Sequence, residues 1–463
     1  MEKLMFSREV PVRYQAQVVV VGGGPSGFCA AVAAARMGAS VLLIEEGGFA
    51  GGMATRGLVG PFMTSYDSSG ETMIIRGLFD ELVRRMEARG GAIHPAKVRA
   101  GTPFTSWIVL GHDHVTPFEP ECLKLVMDEM LTEAGVQVLY HTRFVEPIVG
   151  EGTVRQIVID SKAGLAAVQG EVFIDCTGDA DLAYRAGVPC EKGNEALGLI
   201  QPASLFFRMG NVQLKPLQAD IDAHRDQFYR KDGVNYRSLH WRVSEAREHG
   251  DWPLKRVSIG MFRSVKEDEW FINTSRVMGV DATDNESLTR GEMEGRRQVQ
   301  IIFDFFRKYV PGCADARLLC SGSTLGIRES RHIRGLYRLT VDDLLDGRVP
   351  EDAICLASNS VDVHGRFGPL SNEYVAIRNG RWYGIPYRSL VPEGFDNLLV
   401  AGRAVSAESD AAGAIRVMPP SMAMGQAAGV AAALAAQGEK PVHSIDVPAL
   451  QEHLRAQGAY LDL

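Results

Sequence analysis

No stretch of the 463-residue sequence approaches the about twenty consecutive apolar residues that a membrane-spanning helix needs. Its opening, MEKLMFSREVPVRYQ, lacks the apolar core of a secretion signal, so a soluble, cytoplasmic protein is expected. Positive charge is not in excess: 49 Lys and Arg stand against 57 Asp and Glu, and without a dense basic run nucleic acid is not an expected partner. The cysteines (Cys29, Cys122, Cys176, Cys190, Cys313, Cys320 and Cys355) form no CxxC pair and no zinc or cluster spacing. They read as small buried hydrophobes in a reducing compartment. His112 and His114 have no third ligand at metal-site spacing, and no metal is expected. The absence of GxSxG, a Walker lysine, HExxH and the kinase motif set leaves hydrolysis and phosphoryl transfer without a foothold.

What is present is concentrated in residues 18–46, VVVVGGGPSGFCAAVAAARMGASVLLIEE. A buried strand runs into a glycine turn, an alanine-rich helix over about 26–37 stopped by Gly38, and a second buried strand. This is the order of a dinucleotide cradle. Gly22 permits the tight turn, Gly24 lets the backbone approach a pyrophosphate, and Gly27 lets helix and strand lie close. The helix start meets the phosphate charge. Glu45 or Glu46 ends the second strand where a carboxylate accepts from ribose hydroxyls and disfavours a 2'-phosphate. Only one GxGxxG occurs, so one nucleotide is expected.

Further along, residues 47–64 are rich in glycine and small residues, with Gly51, Gly52, Met53, Ala54 and Thr55 suited to backbone threaded beside a ligand. Apolar spacing predicts helices over 78–89 and 120–133, then strands to the Thr177-Gly178-Asp179 turn. Segments 204–210, 256–264 and 269–277 are short and β-rich, which predicts a separate, mostly antiparallel sheet, followed by a long helix over 287–309. The segment 397–403 reads as a buried strand and 413–438 as a small-residue helix with Pro419 and Pro420 at its start. The expected architecture is α/β: a Rossmann-like three-layer domain from residues 1–189 and 318–440, an inserted β-rich substrate or cap domain at 190–317, and a helical tail at 441–463.

The segments GGGPSGFCAAVAAARMGASVLLIE, GGMAT, FIDCTGDADLAYRAGVP, GIRESRHIRGLY, VDVHG, IPYRSLVP, LLVAGRAVSAE and RVMPPSMAMGQAAGVAA, in this order, resemble the FAD-dependent oxidoreductase family of glutathione-reductase-like topology. The likeness spans nearly the whole chain. It implies an extended FAD, with Gly22, Gly24, Pro25, Ser26 and Gly27 at the pyrophosphate and Glu45 at the adenosine ribose. Gly51, Gly52, Met53 and Thr55 would flank it, the Val145 backbone would meet adenine, and Gly178 and Asp179 would lie near ribose and pyrophosphate. Relatives end the late strand in Ala-Gly-Asp, whereas this chain has Ala401-Gly402-Arg403, so Arg403 either pairs with phosphate or forms a salt bridge to Glu408 or another acid. The helix start at Met418, Pro419, Ser421 and Met422 would offer partial positive charge to the flavin.

Flavin-dependent oxidation of an alcohol or amine needs a base beside the departing proton. His364 in VDVHGRFGP is the first candidate, as a loop residue next to Gly365 and Gly368, with Asp362 able to orient its ring. A purely structural histidine is the alternative. Arg328 and Arg331 are candidates to hold a substrate carboxylate, unless they form ordinary ion pairs. Tyr374, Tyr387 and Arg388 are secondary pocket candidates. The expected reaction is two-electron dehydrogenation of a small-molecule substrate, hydride passing to flavin N5 and electrons then to an external acceptor such as oxygen or a quinone. A single-component flavin monooxygenase using NAD(P)H, and a flavin-binding electron-transfer subunit, are the alternatives. Self-association into a homo-oligomer is left open.

Overall fold

Alternation along the first strand builds two faces at once. Val18 and Val20 belong to the core on one side of the sheet, Val19 and Val21 to the core on the other. The strand Val12–Val21 pairs in parallel with Val41–Ile44 and with Gly164–Asp175, and Gln137–Leu139 and Leu398–Val400 extend the parallel set outward on either side. The structure is a computed structural model describing residues 4–5, 7–109, 111–194, 197–231, 234–364 and 372–462.

One face of the sheet is covered by the helices Pro25–Arg36, Leu78–Glu87, Pro120–Glu133 and Met418–Gly438. The antiparallel strands Arg143–Gly150 and Thr153–Ser161 continue the same sheet beyond Gly164–Asp175, and Val154, Ile157 and Ile159 from the second of them join Val19 and Val21 in the core on the other face. Helices, parallel strands and antiparallel strands make the three expected layers. The first and last helices approach almost backbone to backbone: a methyl on Gly425 would stand 2.0 Å from the Ser26 carbonyl oxygen, and one on Gly429 2.2 Å from that of Ala30.

A second, antiparallel sheet has the order Met261–Arg263, Trp270–Ile272, Phe207–Gly210, Arg317–Ser321. The helix Asn285–Tyr309 packs on it, capped by the Asp284 carboxylate accepting from the Ser287 amide at 2.6 Å. Their shared core holds Phe207, Trp270, Ile302 and Phe306, and Trp107 joins it from the irregular segment before the third helix. The pairing of Arg317–Ser321 with Phe207–Gly210 carries this sheet across the division at 317/318.

The stretch 413–438 is two helices rather than one. Ser409–Ile415 ends before Arg416, Val417 is extended, and Met418–Gly438 begins anew. Pro419 and Pro420 lack an N–H to donate and fit only a helix's first turn, so the helix must start afresh just ahead of them. His364 also differs from expectation: it closes the strand Val361–His364. Gly365 and Gly368 lie outside the described residues.

Candidate active site

The carboxyl ends of four parallel strands converge on one cavity of about 850 Å³, walled at Gly22, Glu45, Gly178 and Gly402. Ligands of open α/β sheets bind at such ends. Gly22 adopts φ +98°, and a side chain there would drive Cβ to 2.5 Å from the Cys176 carbonyl oxygen. A Cβ on Gly27 would stand 1.8 Å from the Gly22 carbonyl oxygen, which is the close helix-to-turn packing the spacing implied. Gly24 is different: a Cβ there meets nothing within 4 Å. Gly24 lines the cavity beside Pro25 and Ser26, so its bareness serves approach from the cavity side.

Glu45 is buried and accepts from the amides of Gly23 at 2.7 Å and Gly47 at 2.6 Å, which fixes its carboxylate at the cavity wall. Glu46 is exposed and paired with Arg56 at 2.7 Å. Gly52 and Met53 also line the cavity. Gly51 and Thr55 stand behind that wall, the Gly51 amide donating to Gly23 and the Thr55 hydroxyl to the Ala50 carbonyl, both at 2.8 Å. Val145 is set back too. Its carbonyl accepts from Arg185 at 2.8 Å, while Phe144 and Glu146 face the cavity.

At the late strand, Arg403 spends its guanidinium on the protein. It donates to the carbonyls of Gly178 at 2.8 Å and Ile327 at 2.9 Å and pairs with Asp179 at 2.7 Å. Of the two readings of Arg403 the structure favours the salt bridge, made to Asp179, while Glu408 instead accepts from the Val341 amide. The helix beginning at Met418 brings Met418 and Ser421 to the cavity, with Pro419 and Met422 buried beside them. Proline has no N–H and the Ser421 amide donates to Val417, so the first turn offers the Met418 amide and the helix dipole rather than a row of donors.

Away from the cradle the same cavity is walled by charged groups from distant parts of the chain: Arg237, Arg256, Arg328, Arg416, Asp362 and His364. Arg276 completes the group, donating to His364 Nδ1 at 3.0 Å. Arginine only donates, so Nδ1 is the acceptor and the ring proton sits on Nε2, 3.1 Å from Asp362 Oδ2. Burial pushes His364 down to about 3 against the pull of Asp362. The ring is therefore neutral with both nitrogens engaged. Burial, reinforced by repulsion between neighbouring guanidiniums, pushes Arg276 to about 8, Arg328 to about 9 and Arg256 to about 10. Asp362 is held below the usual carboxyl range: burial alone would raise it, but His364, Arg416 and Arg328 outweigh burial.

Arg328 donates to the Pro202 carbonyl at 2.6 Å and Ser204 Oγ at 2.9 Å. Arg331 is drawn toward the cradle, bonding the Asp179 carbonyl and Asp181, both at 3.0 Å, with its guanidinium over the Tyr184 ring. Tyr374 reaches the cavity. Tyr387 does not, being buried with its hydroxyl on the Val442 carbonyl, and Arg388 pairs with Asp352 away from the cavity. His112 lines the cavity while His114 stacks on Tyr66, so the two imidazoles part company. Arg237, Arg256 and Arg276 belong to no quoted motif, Arg416 opens RVMPPSMAMGQAAGVAA but is not among its candidate residues, and only tertiary packing brings the four together.

The family model of FAD dependent oxidoreductases matches residues 17–454. No curated protein matches the chain by sequence. Among solved structures, the chain is similar to a geranylgeranyl bacteriochlorophyll reductase-like protein from Thermoplasma acidophilum, at 14% identity over 96% of this chain and 83% of that one, with a TM-score of 0.44. It is similar also to p-nitrophenol 4-monooxygenase from Pseudomonas putida, at 12% identity over 96% and 84%, TM-score 0.45. A flavin-dependent brominase matches at 13% identity over 96% and 83%, TM-score 0.47.

Proposed function

The chain belongs to the FAD-dependent oxidoreductase family, and from that premise we propose that it dehydrogenates a small organic substrate held between the glycine cradle and the charged wall. The observation that supports this reading is the continuity of one cavity from Gly22 and Gly24 to Asp362 and Arg416. The cradle fits the cofactor. Gly24 opens onto the cavity with room for a phosphate against the helix start, Glu45 stands ready for ribose hydroxyls, and no side chain fills the gap.

Bound FAD supplies a two-electron acceptor. The substrate loses a hydride from carbon and a proton from the adjoining atom, and its two electrons leave on an external acceptor such as oxygen or a quinone. Among the described residues of the charged wall, the Asp362 carboxylate stays ionised, with Oδ2 held by His364 and Oδ1 buried without a partner, and suits orienting the substrate's departing proton by accepting a hydrogen bond rather than acting as a strong base. His364 is then a positioning residue that ties Asp362 to Arg276, rather than the base itself. The apolar side chains of Phe206 and Phe262 on the same wall exclude water from the reacting carbon.

An anaerobic screen of small metabolites tests this, scored by bleaching of the visible flavin band. Bleaching by one donor without NAD(P)H is expected. A flavin that bleaches only with NAD(P)H, and then yields an oxygenated product in air, would contradict it.

A further inference from the structure

Buried arginines elsewhere in this protein meet carboxylates. Arg208 binds Glu119 and Glu269, and Arg403 binds Asp179. The cavity arginines are served differently. Arg328 bonds only neutral oxygens, Arg416 reaches the side chain of Gln201 and the carbonyl of Asp362 at 3.4 and 3.5 Å, and Nε of both Arg256 and Arg416 is buried without a partner. Among the described residues, the carboxylates near these guanidiniums are Asp362 and Glu329. Glu329 is already occupied by Ser409 and the Gln201 amide. Among the described residues, the four guanidiniums of Arg237, Arg256, Arg328 and Arg416 thus face two carboxylates on the wall of one cavity, a costly arrangement unless a ligand supplies negative charge.

We infer that the chamber binds a small organic dianion, one anionic group against Arg237 and Arg256 and the other against Arg328 and Arg416. Planar guanidinium forks match carboxylate and phosphate oxygens two at a time. All four line one cavity with Asp362, in a run in which Arg237 neighbours Arg256, Arg256 neighbours Arg328, and Arg328 neighbours Arg416, so the two pairs are its two ends. A ligand spanning the two pairs therefore brings its central carbons toward Asp362. This inference names the substrate class for the dehydrogenation proposed above and rests on it.

The test is equilibrium binding to the oxidised, FAD-loaded protein, followed by the flavin difference spectrum and by calorimetry. The probes are malonate, succinate, glutarate, monomethyl succinate, succinamide and glycerol 3-phosphate. At least one dicarboxylate should bind about tenfold or more tighter than succinamide and monomethyl succinate. Arg256→Gln and Arg416→Gln should each weaken it by about tenfold with FAD content unchanged. Where a glutamine variant fails to fold, Arg256→Lys, which keeps the charge and loses the fork, should weaken binding in the same direction. Preference for glycerol 3-phosphate over every dicarboxylate would overturn the two-group arrangement, since that probe carries both charges on one phosphate. Equal binding of succinamide, or variants that bind the anions as the parent does, would overturn the inference. Because no turnover is involved, dianion binding without reduction by any donor would retire the dehydrogenation and leave the anion site standing.

Discussion

Replacing Gly24 by valine separates cofactor binding from folding. Gly24 has φ −66° and ψ −172°, a conformation open to any residue, and a Cβ there meets nothing within 4 Å. The valine side chain fills cavity space only, where a pyrophosphate must approach the amides at the helix start. If two charge-assisted hydrogen bonds of about 1.5–3 kcal/mol each are lost, FAD affinity falls by about a hundredfold or more. The apoprotein should keep its thermal midpoint, since a surface-like change costs within about 0.5 kcal/mol. Titration of FAD onto apoprotein, followed by flavin fluorescence, reads the first quantity, and thermal unfolding of the same samples reads the second. Gly27→Ala is the counterpart, because its methyl would stand 1.8 Å from the Gly22 carbonyl oxygen and must damage the fold itself. A Gly24→Val protein that takes up FAD with parental affinity would refute the cradle geometry.

Glu45→Gln should raise the FAD dissociation constant by about tenfold, because the amide cannot accept from Gly23 and Gly47 through both positions and still serve ribose hydroxyls; reconstitution of apoprotein measures it. His364 is held down at about 3 in the fold against 6.5 when free. The unfolded chain therefore takes up a proton that the native state refuses as pH falls below 6.5, and stability drops by at most about 1.4 kcal/mol per pH unit over that window. Asp175, raised to about 6 by burial, acts with the opposite sign between its usual 3.8 and 6. The quantity to measure is accordingly the difference between parent and His364→Asn in urea melts from pH 7 to 4, where the variant should lose less stability. Gly429→Ala should lower the thermal midpoint, with overpacking against the Ala30 carbonyl costing about 1–3 kcal/mol, and an unchanged midpoint would mean that the two helices are not in backbone contact.

The cradle was legible because its chemistry is local: turn, phosphate approach and helix contact are expected within six residues, and in the structure Gly22 makes the tight turn, Gly27 the close helix contact, and Gly24 borders open cavity space. The three layers were legible for the same reason, since the valine run and the amphipathic helices declare their faces through periodicity. The break between Ile415 and Met418 was hidden by uniformly small, apolar residues on both sides, although Pro419 and Pro420 carried the signal. The charged wall was mostly illegible. Arg328, His364 and Arg416 stood in motifs, but their neighbours Arg237, Arg256 and Arg276 come from three unconnected segments that only tertiary packing brings together. His364 read as a candidate base with a structural histidine as the alternative, because sequence cannot show that Arg276, 88 positions away, bonds its second nitrogen.

The central claim is that the cavity at the carboxyl ends of the parallel strands holds FAD against the cradle, and the protein's own cofactor tests it most directly. Heat-released extract from freshly purified protein, separated by chromatography, should contain FAD in near-equimolar amount. Colourless protein that takes up no FAD on reconstitution, or that releases a different nucleotide, would contradict the account.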